Sequence, residues 1–197
     1  MDDRRLIQLQ QLLETHPVVP QLRDDGMREA AVALILRPRD ELELLLIKRA
    51  VHERDPWSGH VALPGGRRDA LDADLVDTAV RESHEEVGIT ISRDTDLIGA
   101  LDEVAPRTPR LPPILIAPFV FAAPATASAR IDAREVEAAL WVPLSALRDE
   151  NAVSEILIEL EGDADSRRFP ALKYGEYVIW GLTHRILEQF LEIAEGL

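Results

Sequence analysis

Residues 63–89, LPGGRRDALDADLVDTAVRESHEEVGI, constrain this chain more than any other stretch. Pro64 and the pair Gly65-Gly66 precede a run whose apolar positions repeat at the helical period. At about 100° per residue, a helix from Asp74 to Val87 gathers Leu75, Val76, Ala79, Val80, Ser83 and Val87 into one core-facing arc. Glu82, Glu85 and Glu86 fall in a neighbouring arc, with Glu86 and Glu82 nearest the buried edge. Spacings of three and four set these carboxylates side by side, where each pair repels by roughly 0.2–0.5 kcal/mol in water. The cost is larger where charge leaves water. Gly88 stands where a left-handed residue ends a helix.

An ExxEE run on its own is ordinarily a solvated helix face. Its surroundings favour a different chemistry. A hard divalent cation relieves the repulsion, and Mg²⁺ takes oxygen ligands while keeping waters and substrate phosphate oxygens. Gly65 and Gly66 allow close backbone approach to a ligand, with a carbonyl or N–H pointed at it. Arg81, directly before Glu82, can hold a carboxylate by paired hydrogen bonds.

With these residues in place, the stretch resembles the Nudix hydrolases. That family carries a Gly, a Glu, then Arg-Glu, a variable pair, Glu-Glu, one variable residue, Gly and an aliphatic. Residues 81–89 match the second half position by position. The first half departs. The usual Glu, eight positions before the Arg, is Ala73, and Asp72 beside it is a replacement candidate. Gly66 lies one residue further from Arg81 than the common spacing. This offset, with Asp in that place, resembles the coenzyme A pyrophosphatase branch. Residues 46–49 (LIKR), 59–66 (GHVALPGG) and 179–183 (IWGLT) resemble that branch's signature too, although Gln is usual where His60 stands.

Length and composition agree with a single domain, 1–197, including an N-terminal helical extension over 1–20, the Nudix box over 63–89 and a C-terminal helix over 176–194. The chain has no cysteine, so thiolate metal sites and disulfides are excluded. No apolar run is long enough to span a bilayer. The start, MDDRRL, lacks a signal-peptide pattern. A cytoplasmic location is expected. The formal charge of −14 argues against a long nucleic-acid footprint. It leaves a small phosphorylated substrate open, because bound cations reverse the local field.

Along the chain, residues 3–15 read as an amphipathic helix packed on the domain or on a partner subunit, compatible with a homodimer. Residues 30–36 and 42–48 read as a hairpin of buried strands. Residues 49–59 are a polar loop, with Trp57 as a structural plug beneath it or a wall for a substrate base. Residues 60–63 are a short strand into the glycine turn. Further strands are expected over 99–104, 114–122 and 156–160, with a strand-like or irregular stretch over 135–141. A Pro-rich loop is expected over 105–113, a short helix opening over 142–147, a turn over 161–166 and a long helix over 177–193. The order is mixed α/β. The resemblance implies an α/β/α sandwich, the Nudix fold, with a mixed sheet between helices.

The resemblance also implies divalent-metal-dependent hydrolysis of a diphosphate, giving two phosphorylated products, with Mg²⁺ or Mn²⁺ as cofactor. Glu82, Glu85 and Glu86 are the candidate metal ligands, with the carbonyl of Gly65 or Gly66 as a fourth. Arg81 is expected to orient a helix carboxylate. The base is one of the helix glutamates or a distant Glu, for which Glu103, Glu135 and Glu137 are candidates. Arg49, His60 and Gly65 are candidate substrate contacts, as is His52. Coenzyme A is the first substrate candidate; an ADP-sugar, ADP-ribose or a dinucleoside polyphosphate is the alternative. A non-catalytic nucleotide-binding module and a scaffold with a merely solvated acidic face are the rival classes.

Overall fold

The computed structural model describes residues 3–23, 26–52, 57–106, 113–158 and 166–197. Its centre is a seven-stranded mixed sheet. The spine is β1 (Arg28–Pro38), which runs parallel to β6 (Ile114–Ala122). On its other side β1 pairs with two strands in turn: β2 (Leu42–Arg49) at Leu36 to Pro38, and β4 (Gly65–Arg67) at Ala30 to Val32. Further along, β2 carries β3 (Val61–Ala62) on one side and β7 (Val136–Pro143) on the other. The short β5 (Leu97–Ala100) closes the far edge against β6.

The continuous apolar runs are explained by burial on both faces. Ala31, Ala33, Ile35, Leu45 and Ile47 point to one side, where Ala79 and Val87 of α2 (Leu75–Val87) meet them. Leu34, Leu36, Leu44 and Leu46 point to the other, against α1 (Arg4–Thr15) and α4 (Gly181–Ile193). The expected sandwich, a mixed sheet between helices, is therefore the observed architecture. Leu6, Leu9 and Leu13 of α1 are buried within this chain, and a Cβ on Gly99 would lie 2.6 Å from Leu13. That stripe therefore packs on the domain.

Several boundaries differ from expectation. The helix expected over 176–194 begins only at Gly181, because Tyr177–Trp180 is a strand, β10, paired with β9 (Arg167–Tyr174). Tyr-Val-Ile-Trp fits a strand as well as a helical period, and the left-handed Gly175 (φ 58°) and Gly181 (φ 67°) set its limits. With β8 (Val153–Ile158), these strands make a second, three-stranded sheet. The strand expected over 99–104 ends at Ala100; Val104 makes only a bridge to Ile116. The strand-like or irregular stretch over 135–141 is the strand β7, Val136–Pro143, with a register shift opposite Lys48 and Arg49, and the short helix after it, α3, is Leu144–Arg148. Residues 53–56 of the polar loop, 107–112 of the Pro-rich loop and 159–165, with most of the expected turn, lie outside the described residues.

Candidate functional site

The glycine turn and α2 are built to meet. Asp74 caps the helix, accepting from the N–H groups of Val76 and Asp77, and Gly88 closes it in the left-handed region at φ 63°. Between those ends, the face toward the sheet is Thr78, Ala79, Ser83, Glu86 and Val87. Thr78 is fully buried, which the apolar pattern does not reveal; its hydroxyl donates to Asp72 at 2.9 Å. Ser83, also buried, donates back to the Ala79 carbonyl at 2.7 Å.

Glu86 is only 2% exposed. Its Oε2 accepts from the Gly65 N–H at 2.9 Å, and the Arg49 guanidinium lies 3.6 Å from Oε1. Burial pushes its carboxyl up to about 8, against the pull of the Gly65 N–H and Arg49; the charges of Glu82 and Glu135 push it further. Glu82 is half-buried and also shifted upward by burial, with Arg81 opposing. A Cβ on Gly66 would fall 2.4 Å from the Glu82 carboxylate, so the bare backbone of Gly66 lies directly on that group. Gly66 is not left-handed; Glu82, not φ, is what demands glycine there.

Arg81 gathers the carboxylates. It makes a two-pronged contact with Asp72, Nε to Oδ1 and Nη2 to Oδ2, both at 3.0 Å. Its Nη1 donates to Glu82 at 2.8 Å and to Glu85 at 2.9 Å, and Nη2 also reaches the Arg67 carbonyl at 3.0 Å. Arg81 therefore holds Asp72's carboxyl well below the usual carboxylate range. Asp72 is the anchor of Arg81, a part that residue spacing alone does not assign. Glu85 is half exposed, on the outer side of Arg81.

Among the described residues no three acidic or histidine side chains already converge as a metal-binding group. The donor set nonetheless fits a divalent cation. A buried carboxylate raised to about 8 beside two further acidic charges is short of positive charge, and hard oxygen donors are what Mg²⁺ and Mn²⁺ take. Of the three distant glutamates, Glu135 is the one whose charge acts on both Glu82 and Glu86. Glu103 is instead engaged by Arg23 and the Gln21 N–H, each at 2.8 Å. His52 is engaged with the Arg134 carbonyl at 2.7 Å.

His60 sits where the two sheets touch. Its ring centroid is 4.9 Å from that of Trp180, which in turn lies 5.8 Å from Phe169. The His60 carbonyl accepts from the Arg49 N–H at 3.0 Å, so this aromatic corner adjoins the strand end that carries Arg49 toward Glu86. Trp57 is half-buried next to it, and its carbonyl accepts from the His60 N–H at 3.1 Å.

Comparison with known proteins follows the same lines. A family model described as NUDIX domain matches residues 26–160. A protein of Enterobacter sp. (strain 638), described as an uncharacterized Nudix hydrolase, NudL, is 34% identical over 162 residues, 82% of this chain and 80% of its own. An uncharacterized Schizosaccharomyces pombe protein is 42% identical over 107 residues, 53% of this chain; the match spans 32% of that longer relative. Among solved structures, a MutT/nudix family protein from Enterococcus faecalis superposes with a TM-score of 0.60 at 16% identity, covering 95% of this chain and 68% of that one, a likeness of fold.

Proposed function

Since the chain belongs to the Nudix hydrolase family, which acts on nucleoside diphosphate derivatives and generally needs divalent metal ions, we propose that it hydrolyses the diphosphate of coenzyme A or an acyl derivative. The products would be 3′,5′-ADP and 4′-phosphopantetheine. The observation that carries the reading is Glu86, buried beside Glu82 and tied to the glycine turn at Gly65. Such a buried carboxylate is favoured in its charged form when a cation binds beside it.

Glu82 and Glu86 would hold Mg²⁺ or Mn²⁺, with Glu85 and the Gly66 carbonyl completing the oxygen set. The bound ion supplies charge neutralisation and polarisation at phosphate oxygens. The protein's residues do the rest. Arg81 orients Glu82 and Glu85, and Asp72 fixes Arg81. The Gly65 N–H fixes Glu86. Arg49 offers a guanidinium to the diphosphate beside Glu86. Water attacks one phosphorus, the P–O bond of the bridging oxygen breaks, and a carboxylate takes the water's proton. Glu135, exposed and close enough for its charge to act on Glu82 and Glu86, is the loop residue suited to that role.

For the substrate, the supporting observation is that two segments resembling the coenzyme A branch, distant in sequence, meet at His60 and Trp180 next to Arg49. Neutral imidazole both donates and accepts hydrogen bonds, as the Gln amide does. The test is kcat/KM for coenzyme A, ADP-ribose and a dinucleoside polyphosphate, in wild type and His60→Gln. Coenzyme A should be the best substrate, with His60→Gln equal or better on it. Turnover of coenzyme A about a hundredfold or more below the best alternative in both proteins would overturn this choice.

A further inference from the structure

Beside the glycine turn, β1, β4 and the loop after β4 bound an open cleft of about 490 Å³, within the range of small-ligand sites. Four of its lining residues are arginines, Arg23, Arg28, Arg67 and Arg68, in a chain of formal charge −14. They are not equally engaged. Arg23 pairs with Glu29 at 3.2 Å and Glu103 at 2.8 Å. Arg68 pairs with Glu29 at 2.9 Å and donates to the carbonyls of Asp72 and Ala73. The acids of the cleft are likewise occupied: Glu29 by these two arginines, Asp72 by Arg81, and Asp69 by the Leu71 N–H. The guanidinium groups of Arg28 and Arg67 have no hydrogen-bond or ion-pair partner among the described residues.

Those two are neighbours by construction. Arg67 is the cross-strand partner of Ala30, so Arg28, two residues earlier on β1, lies diagonal to it on the same face. Diagonal positions are about 7–8 Å apart, within reach of long side chains. Two unpaired cations set this way repel unless an anion lies between them. The cleft also adjoins the candidate active site. Arg67 follows Gly66, and its carbonyl is held by the same Arg81 that holds Glu82.

We propose that this cleft is a phosphomonoester subsite, in which Arg28 and Arg67 bind a phosphate that the substrate carries in addition to the diphosphate being cut. The inference deepens the reading of the previous subsection and rests on it for the position of the diphosphate. A phosphomonoester carries about −1.5 to −2 charge at neutral pH and three acceptor oxygens, which two guanidinium forks match. Coenzyme A has such a group on its ribose 3′ oxygen; ADP-ribose and dinucleoside polyphosphates have none. The subsite would therefore select between the substrates considered above.

Free inorganic phosphate offers similar chemistry, so the test separates the two. Adenosine 3′,5′-bisphosphate, 5′-AMP and inorganic phosphate are titrated calorimetrically, in EDTA, into wild type, Arg28→Ala/Arg67→Ala and Arg28→Lys/Arg67→Lys. Wild type should bind the bisphosphate about tenfold more tightly than 5′-AMP, the worth of roughly one charge-assisted contact. The alanine variant should lose that preference with its melting temperature nearly unchanged, since both residues are exposed. The lysine variant should keep part of it. Equal affinities in wild type, or a preference that survives in the alanine variant, would overturn the proposal. So would inorganic phosphate binding as tightly as the bisphosphate. The readout needs no turnover: a preserved preference in a protein that fails to cleave coenzyme A would support the cleft and count against the substrate alone.

Discussion

The Glu86 carboxylate accepts a hydrogen bond from the Gly65 N–H at 2.9 Å, joining the buried edge of α2 to the glycine turn 21 residues earlier. Together with the Arg81 contact to the Arg67 carbonyl, it ties turn and helix into a single unit. It also leaves a carboxyl whose ionisation is disfavoured until positive charge arrives.

Without a cation, Glu86 should lower stability as pH rises. Its ordinary value is 4.5 and its folded value about 8, so the folded state holds the extra proton between those limits. Stability therefore falls as pH climbs through that window and levels above it. Glu86→Gln should remove the slope, leaving the metal-free variant several degrees more stable than wild type near pH 8. Melting curves in EDTA from pH 5 to 8.5 would check this. Parallel pH profiles for the two proteins would contradict it.

The two glycines should fail differently. On Gly65 a Cβ would lie 2.3 Å from the Ala31 carbonyl oxygen and 2.6 Å from the Val32 Cα, both backbone atoms. Gly65→Ala should therefore destabilise the fold severely, by about 3 kcal/mol or more. On Gly66 the three atoms nearest that Cβ all belong to the end of the Glu82 side chain. Gly66→Ala should keep most of its melting temperature while activity falls about a hundredfold, because Glu82 must move. Equal loss of both properties in Gly66→Ala would show the residue to be only part of a turn.

Asp72→Asn should loosen Arg81. The two-pronged contact becomes a neutral one, at a cost of roughly 1–3 kcal/mol, or several degrees in melting temperature for a chain of this size. Activity should drop about tenfold or more as Glu82 and Glu85 lose their common anchor. Because Asp72's folded value lies below its ordinary 3.8, its contribution is present above that pH and is lost as pH falls below it. The gap between wild type and variant should thus be full at pH 6 and shrink below pH 4. A gap independent of pH would mean that Asp72 acts by packing alone.

Much of the fold was legible because the apolar runs over 30–36, 42–48 and 114–122 admit little but doubly buried strands, and because Asp74 and Gly88 mark both ends of α2. The Tyr177–Trp180 strand was hidden, since four apolar residues before a real amphipathic helix carry no period of their own. At the site, spacing places Glu82 and Glu86 at the buried edge of the helix. It cannot reveal Arg49 reaching Glu86, His60 meeting Trp180, or Arg28 beside Arg67, because each pairing depends on strand register or on contact between sheets. Asp72 is visible as an oddity of the motif, but its bond to Arg81 depends on how the loop after β4 folds back on α2.

The most direct test of a cation-dependent diphosphatase built on Glu82 and Glu86 is product formation from coenzyme A, with Mg²⁺ or Mn²⁺ and again in EDTA, by wild type and Glu86→Gln. Wild type should give 3′,5′-ADP and 4′-phosphopantetheine in equal amounts with either ion and none in EDTA. The folded variant should have a kcat about a hundredfold or more lower, on the order of 3 kcal/mol of transition-state stabilisation. A Glu86→Gln protein retaining more than about a third of the wild-type rate, or a wild-type rate untouched by EDTA, would contradict this reading.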